Sequence, residues 1–297
     1  MSVDVVCAGP PFLDIVFRGL ARIPRAGEEA LASEVVTVPG AMANVAFALR
    51  QLDLDAVVCS PKGTDPIGRL LAELMAEAGI PWIGEPTGST SISVGLPIDG
   101  DRAFVTVLSD TTVDVDAVNA LAPRAVVLNL PVPDGLSSAA LLYGVVGDPQ
   151  VAILLRDGME PLTRLRSLFV NEREARQLTG QAEAVAAAKE LASRGCLVIV
   201  TRGADGATAA TPDGQIIAVP AVVTDPPDTV GAGDLFTAAF IWADLRDLPV
   251  EECLRLATAY ASLSLAHPSR RQKGLTASAF REALGQTEAP IDRLEEV

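Results

Sequence analysis

The 297-residue chain is poor in several kinds of residue, and each shortage removes a class of function. It holds a single histidine, His267, so neither a Ser-His-Asp hydrolase nor a histidine-rich metal centre has its parts. Its four cysteines, Cys7, Cys59, Cys196 and Cys253, stand far apart and form no zinc or redox pair. They read as buried thiols in a reducing cytoplasm. Basic residues are outnumbered 23 to 38, for a net charge of −15, which argues against nucleic acid as a partner. No apolar run is long enough to span a bilayer, so no membrane partner is expected. The opening MSVDVVCAGPP has no basic residue before its apolar run, so a secretory signal is not expected either. Repeats, low-complexity tracts and charged linkers are also lacking, and residues 1–297 read as one domain.

What remains is a globular composition, 49% apolar and 21% charged. Apolar β-rich segments alternate with amphipathic helices. Strands are expected at Val3 to Gly9, Ala56 to Ser60, 125–129 (AVVLN), 150–155 (QVAILL), 167–171 (SLFVN) and 196–201 (CLVIVT), and helices over Ala41 to Leu52 and Pro66 to Ala78. This is the pattern of an α/β protein whose mainly parallel sheet is covered on both faces. Two stretches break the rhythm. Residues 28–38 (EEALASEVVTV) and 89–109 (STSISVGLPIDGDRAFVTVLS) lack an intervening helix, and Asp99-Gly100 is a turn candidate, so a small added sheet is expected.

The stretch DTVGAGDLFTAAF, Asp228 to Phe240, concentrates the chemistry. A helix start leaves backbone N–H groups unpaired and partly positive, so it attracts anions. Gly231 and Gly233 let a phosphate approach that backbone closely. Asp234, in the first helical turn, would lie beside the cradle, where it could take a proton from an attacking hydroxyl. The plain alternative is that Asp234 caps a helix whose glycines ease a turn.

Asp228-Thr229-Val230-Gly231-Ala232-Gly233-Asp234 resembles the C-terminal Asp-Thr-x-Gly-Ala-Gly-Asp motif of the ribokinase-like (PfkB-type) carbohydrate kinases. The resemblance implies a three-layer α/β sandwich with a small β-sheet lid, formed by segments about 16–38 and 88–109. It makes Asp234 the catalytic base and the amides from Gly231 through Ala232 and Gly233 the hole for the transferred phosphoryl group.

Weaker matches follow the family's order along the chain. Gly9 to Asp14 fits a first-strand pattern whose Asp binds sugar hydroxyls, so Asp14 is a substrate candidate; an ordinary loop aspartate is the alternative. Pro39-Gly40-Ala41-Met42-Ala43-Asn44 resembles Gly-Gly-Ala-x-x-Asn, with Pro39 departing at the first glycine. It adds Gly40 and Asn44, expected one helical turn apart on one face. Gly63 to Gly68 fits Gly-x-Asp-x-x-Gly and is read as a loop in which Asp65 caps the next helix.

Asn171-Glu172-Arg173-Glu174 matches Asn-x-x-Glu, implying that Asn171 and Glu174 help hold Mg2+ through water. A capping box is the equal alternative. Thr201-Arg202-Gly203-Ala204-Asp205-Gly206 resembles the family's nucleotide loop, implying that Thr201, Arg202, Gly203 and Gly206, with Thr229, bind ATP. Neither a Rossmann fingerprint nor a Walker loop is present.

Near the C-terminus, relatives carry a loop beside adenine and a monovalent-cation site. This chain reads Ala266 to Gly274, AHPSRRQKG, where no cation ligands are assigned and the basic cluster reads as solvated surface. The expected activity is transfer of the γ-phosphoryl of ATP to a hydroxymethyl group of a small sugar, by a cytoplasmic enzyme able to dimerise through its lid. The alternatives are a nucleoside kinase, with Phe104 to stack a base, and a non-catalytic sugar-sensing protein. A sugar-phosphate kinase ranks behind these, because Arg102 is the one candidate in the lid for a second anion site.

Overall fold

A computed structural model describes residues 3–98, 101–109, 111–224, 229–266 and 273–285. Asp228, the Asp99-Gly100 turn, the Arg102 side chain and His267 to Gln272 lie outside the described residues.

The main sheet has nine strands. In spatial order they are Ile216–Val219, Ala207–Ala210, Leu197–Thr201, Ser167–Asn171, Leu141–Val145, Ala125–Asn129, Val5–Ala8, Ala56–Cys59 and Trp82–Ile83. From Leu197–Thr201 onward all neighbours are parallel, and the first two strands join antiparallel. β-Branched runs such as VVCA, AVVC and LVIVT suit a pleated surface buried on both sides.

Alternate side chains feed two cores. Val5, Cys7, Val127 and Ile199 meet the helices Met42–Gln51, Ala232–Asp244 and Val250–Ala266, while Val6, Ala8, Val126 and Val198 face the helix Ala184–Ala192 on the other side. All four cysteines are buried free thiols.

The second sheet has four strands in the order Glu34–Ala41, Pro11–Arg18, Ile92–Ile98 and Asp101–Val107. It extends past the expected lid: Pro11–Arg18 is a full strand of it, and among residues 19–33 no strand forms. One face carries Asp14, Val16 and Arg18, paired with Val38, Val36 and Glu34. On the same face Gly95 pairs with Val16 and with Phe104. A side chain at Gly95 would meet the Phe104 ring at 3.1 Å.

Two expectations are corrected. QVAILL lies in the helix Asp148–Asp157, not in a strand. Val151 and Leu154, three apart, are its buried residues, Leu155 is exposed, and Gln150 accepts from the Gly147 amide at the helix start. The strand that belongs there is Leu141–Val145. Gly40 is not on a helix face with Asn44: it ends the strand Glu34–Ala41 opposite Phe12, and the helix begins at Met42.

Candidate active site

Three cavities meet around the N-terminus of the helix Ala232–Asp244, where Gly231 lines the first, Gly233 and Asp234 the second, and Gly233 the third. This helix is buried from Leu235 to Asp244, so its sequence can be apolar almost all round. Gly231 caps it in the left-handed conformation, φ 83°, which favours a residue without Cβ. At Gly233 an added methyl would meet no atom within 4 Å, so the backbone there borders open space that an anion could fill. The Ala232 amide differs from expectation: it donates to the Thr229 carbonyl at 3.2 Å and closes a turn.

Asp234 stands in the first turn, half-buried, and accepts a hydrogen bond of 2.9 Å from Asn44 Nδ2. That bond joins positions 190 residues apart. Burial pushes the Asp234 carboxyl up to about 6, and the Asn44 bond partly offsets this. Asp14 is buried as well, and burial followed by the negative charge of Asp234 raises it to about 7. A Cβ at Gly40 would lie 2.0 Å from Asp14 Oδ2, so the glycine lets the strand lie against this carboxyl. Two carboxyls close enough to feel each other are poised to hold protons near neutrality.

The first cavity lies between the lid and the helix. Asp14, Val16, Arg18, Val36, Val38, Asn44, Gly231, Leu235 and Lys273 contribute to its lining. It has room for about 40 Å³, little more than water occupies.

The second cavity, of about 200 Å³, is lined by Asn171, Glu174, Thr201, Gly233 and Asp234 among others. Asn171 and Thr201 end adjacent parallel strands, the edge where α/β sheets bind ligands. Asn171 and Glu174 form a full capping box: each side chain accepts from the other's backbone amide at 2.8 Å. Glu174 is nevertheless held above the usual carboxylate range by burial.

The third cavity, of about 350 Å³, has Thr201, Gly203, Gly206 and Thr229 at one end with Gly233, and Val222, Phe236, Thr258, Ala261, Ser262 and Leu265 as an apolar slot. It shares Thr201 and Gly233 with the second. Gly206 adopts φ +86°, and a Cβ there would strike the Val219 carbonyl at 2.1 Å. Arg202 lines none of the three cavities, and its buried Nε finds no partner among the described residues.

Most predicted residues therefore gather at one place, with Asp14, Gly40 and Asn44 on the lid side and Thr201, Gly203, Gly206 and Thr229 on the other. Sequence reasoning missed the slot residues at 222, 258, 261, 262 and 265, a mixture of aliphatic and hydroxyl side chains that forms no local motif. It also missed Arg18 and Lys273, which topology brings together from 255 positions apart. Asp65 matches its expected role, accepting from the Gly68 amide at 2.7 Å as a helix cap. Among the described residues no cluster of three metal-binding side chains occurs, and no helix is long and apolar enough to cross a membrane.

A largely apolar slot that shares Thr201 and Gly233 with a cavity lined by an acid suits a nucleotide-dependent phosphotransferase. Comparison with known proteins agrees. Residues 147–275 match the model of the pfkB family carbohydrate kinases. The chain is 31% identical over 285 residues to an ATP-dependent ribose-1-phosphate kinase of Halopiger xanaduensis, covering 91% of this chain and 94% of that protein. It is 26% identical over 281 residues to a ribokinase of Bacillus subtilis, covering 88% and 92%. The fold is shared with Arabidopsis thaliana ribokinase complexed with ribose and ATP, at TM-score 0.76 and 24% identity over 97% of this chain and 100% of that one. Ribokinase from Cryptococcus neoformans in complex with ADP gives TM-score 0.73 at 20% identity, over 95% and 99%. The chain belongs to the pfkB family and is an ATP-dependent carbohydrate kinase.

Proposed function

We propose that the enzyme transfers the γ-phosphoryl group of ATP to a hydroxymethyl hydroxyl of a small sugar, with Asp234 as the base. The observation that carries this reading is the position of Asp234: it lines the cavity shared with the nucleotide slot while its carboxylate is bonded to Asn44, which lines the lidded cleft. An acceptor hydroxyl at Asn44 and Asp14 would face the phosphoryl group across that carboxylate, in line for attack. A carboxyl near 6 is ionised at neutral pH and still basic enough to draw the proton as the bond forms. The amides at Gly231 and Gly233 would stabilise the charge on the transferring group. Arg202, Thr201, Gly203, Gly206 and Thr229 would hold the nucleotide phosphates.

Magnesium would be held by ATP and, through water, by Glu174 and Asn171, whose raised carboxyl and capping bonds are compatible with a water-mediated site. The ion would supply charge neutralisation at the phosphates. We assign no ligands to a monovalent cation. Val35, Val105 and Val107, all more than half exposed, form an apolar outer lid face, which supports a homodimer through the lid. The buried free thiols and the need for ATP suit the cytoplasm.

A nucleoside is the second reading, because Phe104, 46% exposed, shares the inner lid face with Val16 and could stack on a base. ADP release measured with ATP, Mg2+ and a panel of pentoses, hexoses, sugar phosphates and nucleosides separates the readings. Turnover of nucleosides alone transfers the assignment to the second, and binding without ADP release from any acceptor refutes the kinase assignment.

A further inference from the structure

We infer that the acceptor is anionic, a sugar monophosphate whose phosphate is received by Arg18 and Lys273 while its free hydroxymethyl group faces Asn44, Asp14 and Asp234. The inference rests on the kinase reading and narrows its acceptor class.

The cleft is polarised. Asp14 lines its floor with Asn44, Asp234 stands one hydrogen bond behind Asn44, and among its described lining residues the cations are Arg18 and Lys273. In a chain of net charge −15 an anion is repelled by the surface as a whole, so its capture needs local donors of this kind. A neutral sugar needs none.

Asp14, Val16 and Arg18 occur at every second position of one strand, so they point the same way into the cleft. At ~3.3 Å per residue, the backbone separation of Asp14 and Arg18 is about 13 Å. The long Arg18 side chain can close part of that span, and a sugar ring would lie between a hydroxyl at the floor and an anion at the rim once the cleft, about 40 Å³ as it stands, widens. Val16, Val36, Val38 and Leu235 wall the space and lower the local dielectric, which strengthens a charge-assisted bond.

Among the described residues Arg18 is held by Glu34 alone, at 3.3 Å, and both side chains are about half exposed. Such a pair contributes little, so a phosphate can displace the carboxylate and take the guanidinium fork bidentately. Lys273 Nζ donates to the Val230 carbonyl at 2.9 Å, which anchors the ammonium beside Gly231.

The test compares ribose 1-phosphate and fructose 6-phosphate with ribose, fructose and cytidine as acceptors, together with thermal shift by each. A sugar phosphate is expected to have the higher kcat/KM, by tenfold or more. Arg18→Gln should erase most of that preference through KM, and Arg18→Lys should restore part of it. Glu34→Gln, which releases the guanidinium, should lower KM for the phosphorylated acceptor. Faster turnover of ribose or cytidine than of either phosphate overturns the anion site and leaves the kinase standing. If no acceptor is turned over, the kinase reading fails by itself. The thermal shift then still decides the site: stabilisation by ribose 1-phosphate that Arg18→Gln abolishes upholds it, and equal or absent stabilisation in both proteins overturns it.

Discussion

Replacing Asp234 with Asn should make the protein slower and more stable at once. The carboxyl rises from 3.8 to about 6 because the fold desolvates it, a shift of about two units. At ~1.36 kcal/mol per unit, the ionised form costs the folded state roughly 3 kcal/mol. The folded protein binds this proton more tightly than the unfolded chain. The penalty is therefore absent below about pH 4, grows as the pH rises toward 6, and is complete above that. Asn keeps the shape and an oxygen to accept from Asn44 while removing the charge. Urea unfolding at pH 8 should show the variant more stable by up to about 3 kcal/mol, and the gain should vanish near pH 4. Loss of the base should lower kcat at least about a hundredfold. Asp14, freed from a negative neighbour, should titrate lower than about 7. A variant that keeps wild-type turnover refutes the role of the carboxylate, and a stability gain equal at pH 4 and 8 refutes its electrostatic origin.

Asn44→Leu removes the donor that holds the Asp234 carboxyl down, so the rising acid limb of the pH–kcat/KM profile should move to higher pH; an unmoved limb contradicts this. Gly233→Ala places a methyl in the open mouth without striking any atom and improves helix propensity by up to ~1 kcal/mol. Its melting temperature should hold or rise while ATP turnover falls at least about tenfold, and undiminished turnover would show that no phosphoryl group passes there. On the far side of the fold, buried Asp244 accepts from Tyr143 at 2.6 Å and bidentately from Arg166 at 2.9 and 2.7 Å. Asp244→Ala should cost about 3 kcal/mol in urea unfolding, the low end for a broken buried pair because Arg166 is half exposed, and a cost under 1 kcal/mol would show that the pair is screened.

The sheet was legible where burial on both faces forces continuous β-branched runs, as in AVVLN and LVIVT. It was illegible where composition is neutral between states. QVAILL reads as a buried strand by hydrophobicity, and only Pro149 and the three-residue spacing of Val151 and Leu154 mark it as a helix. LLYGV carries a glycine that weakens the strand signal, yet a Cβ at Gly144 would meet Leu165 and Leu130 at 2.8 and 3.2 Å. At the site, the local motif marked Gly231, Gly233 and Asp234 because anion binding at a helix start is a property of a few consecutive residues. The Asn44 bond to Asp234 and the meeting of Arg18 with Lys273 depend on tertiary closure, and no local pattern encodes them. The capping box of Asn171 and Glu174 was visible in the spacing, whereas its place beside Asp234 was not.

The bond between Asn44 and Asp234 has a bearing on biosynthesis. A ribosome releases the first of these residues long before the second, so the nascent polypeptide carries half of a reaction centre through most of its translation. With Asp234 as the base, products that end before residue 234 should consume no ATP. Two fragments divided at an exposed loop between them should regain activity only on reassociation.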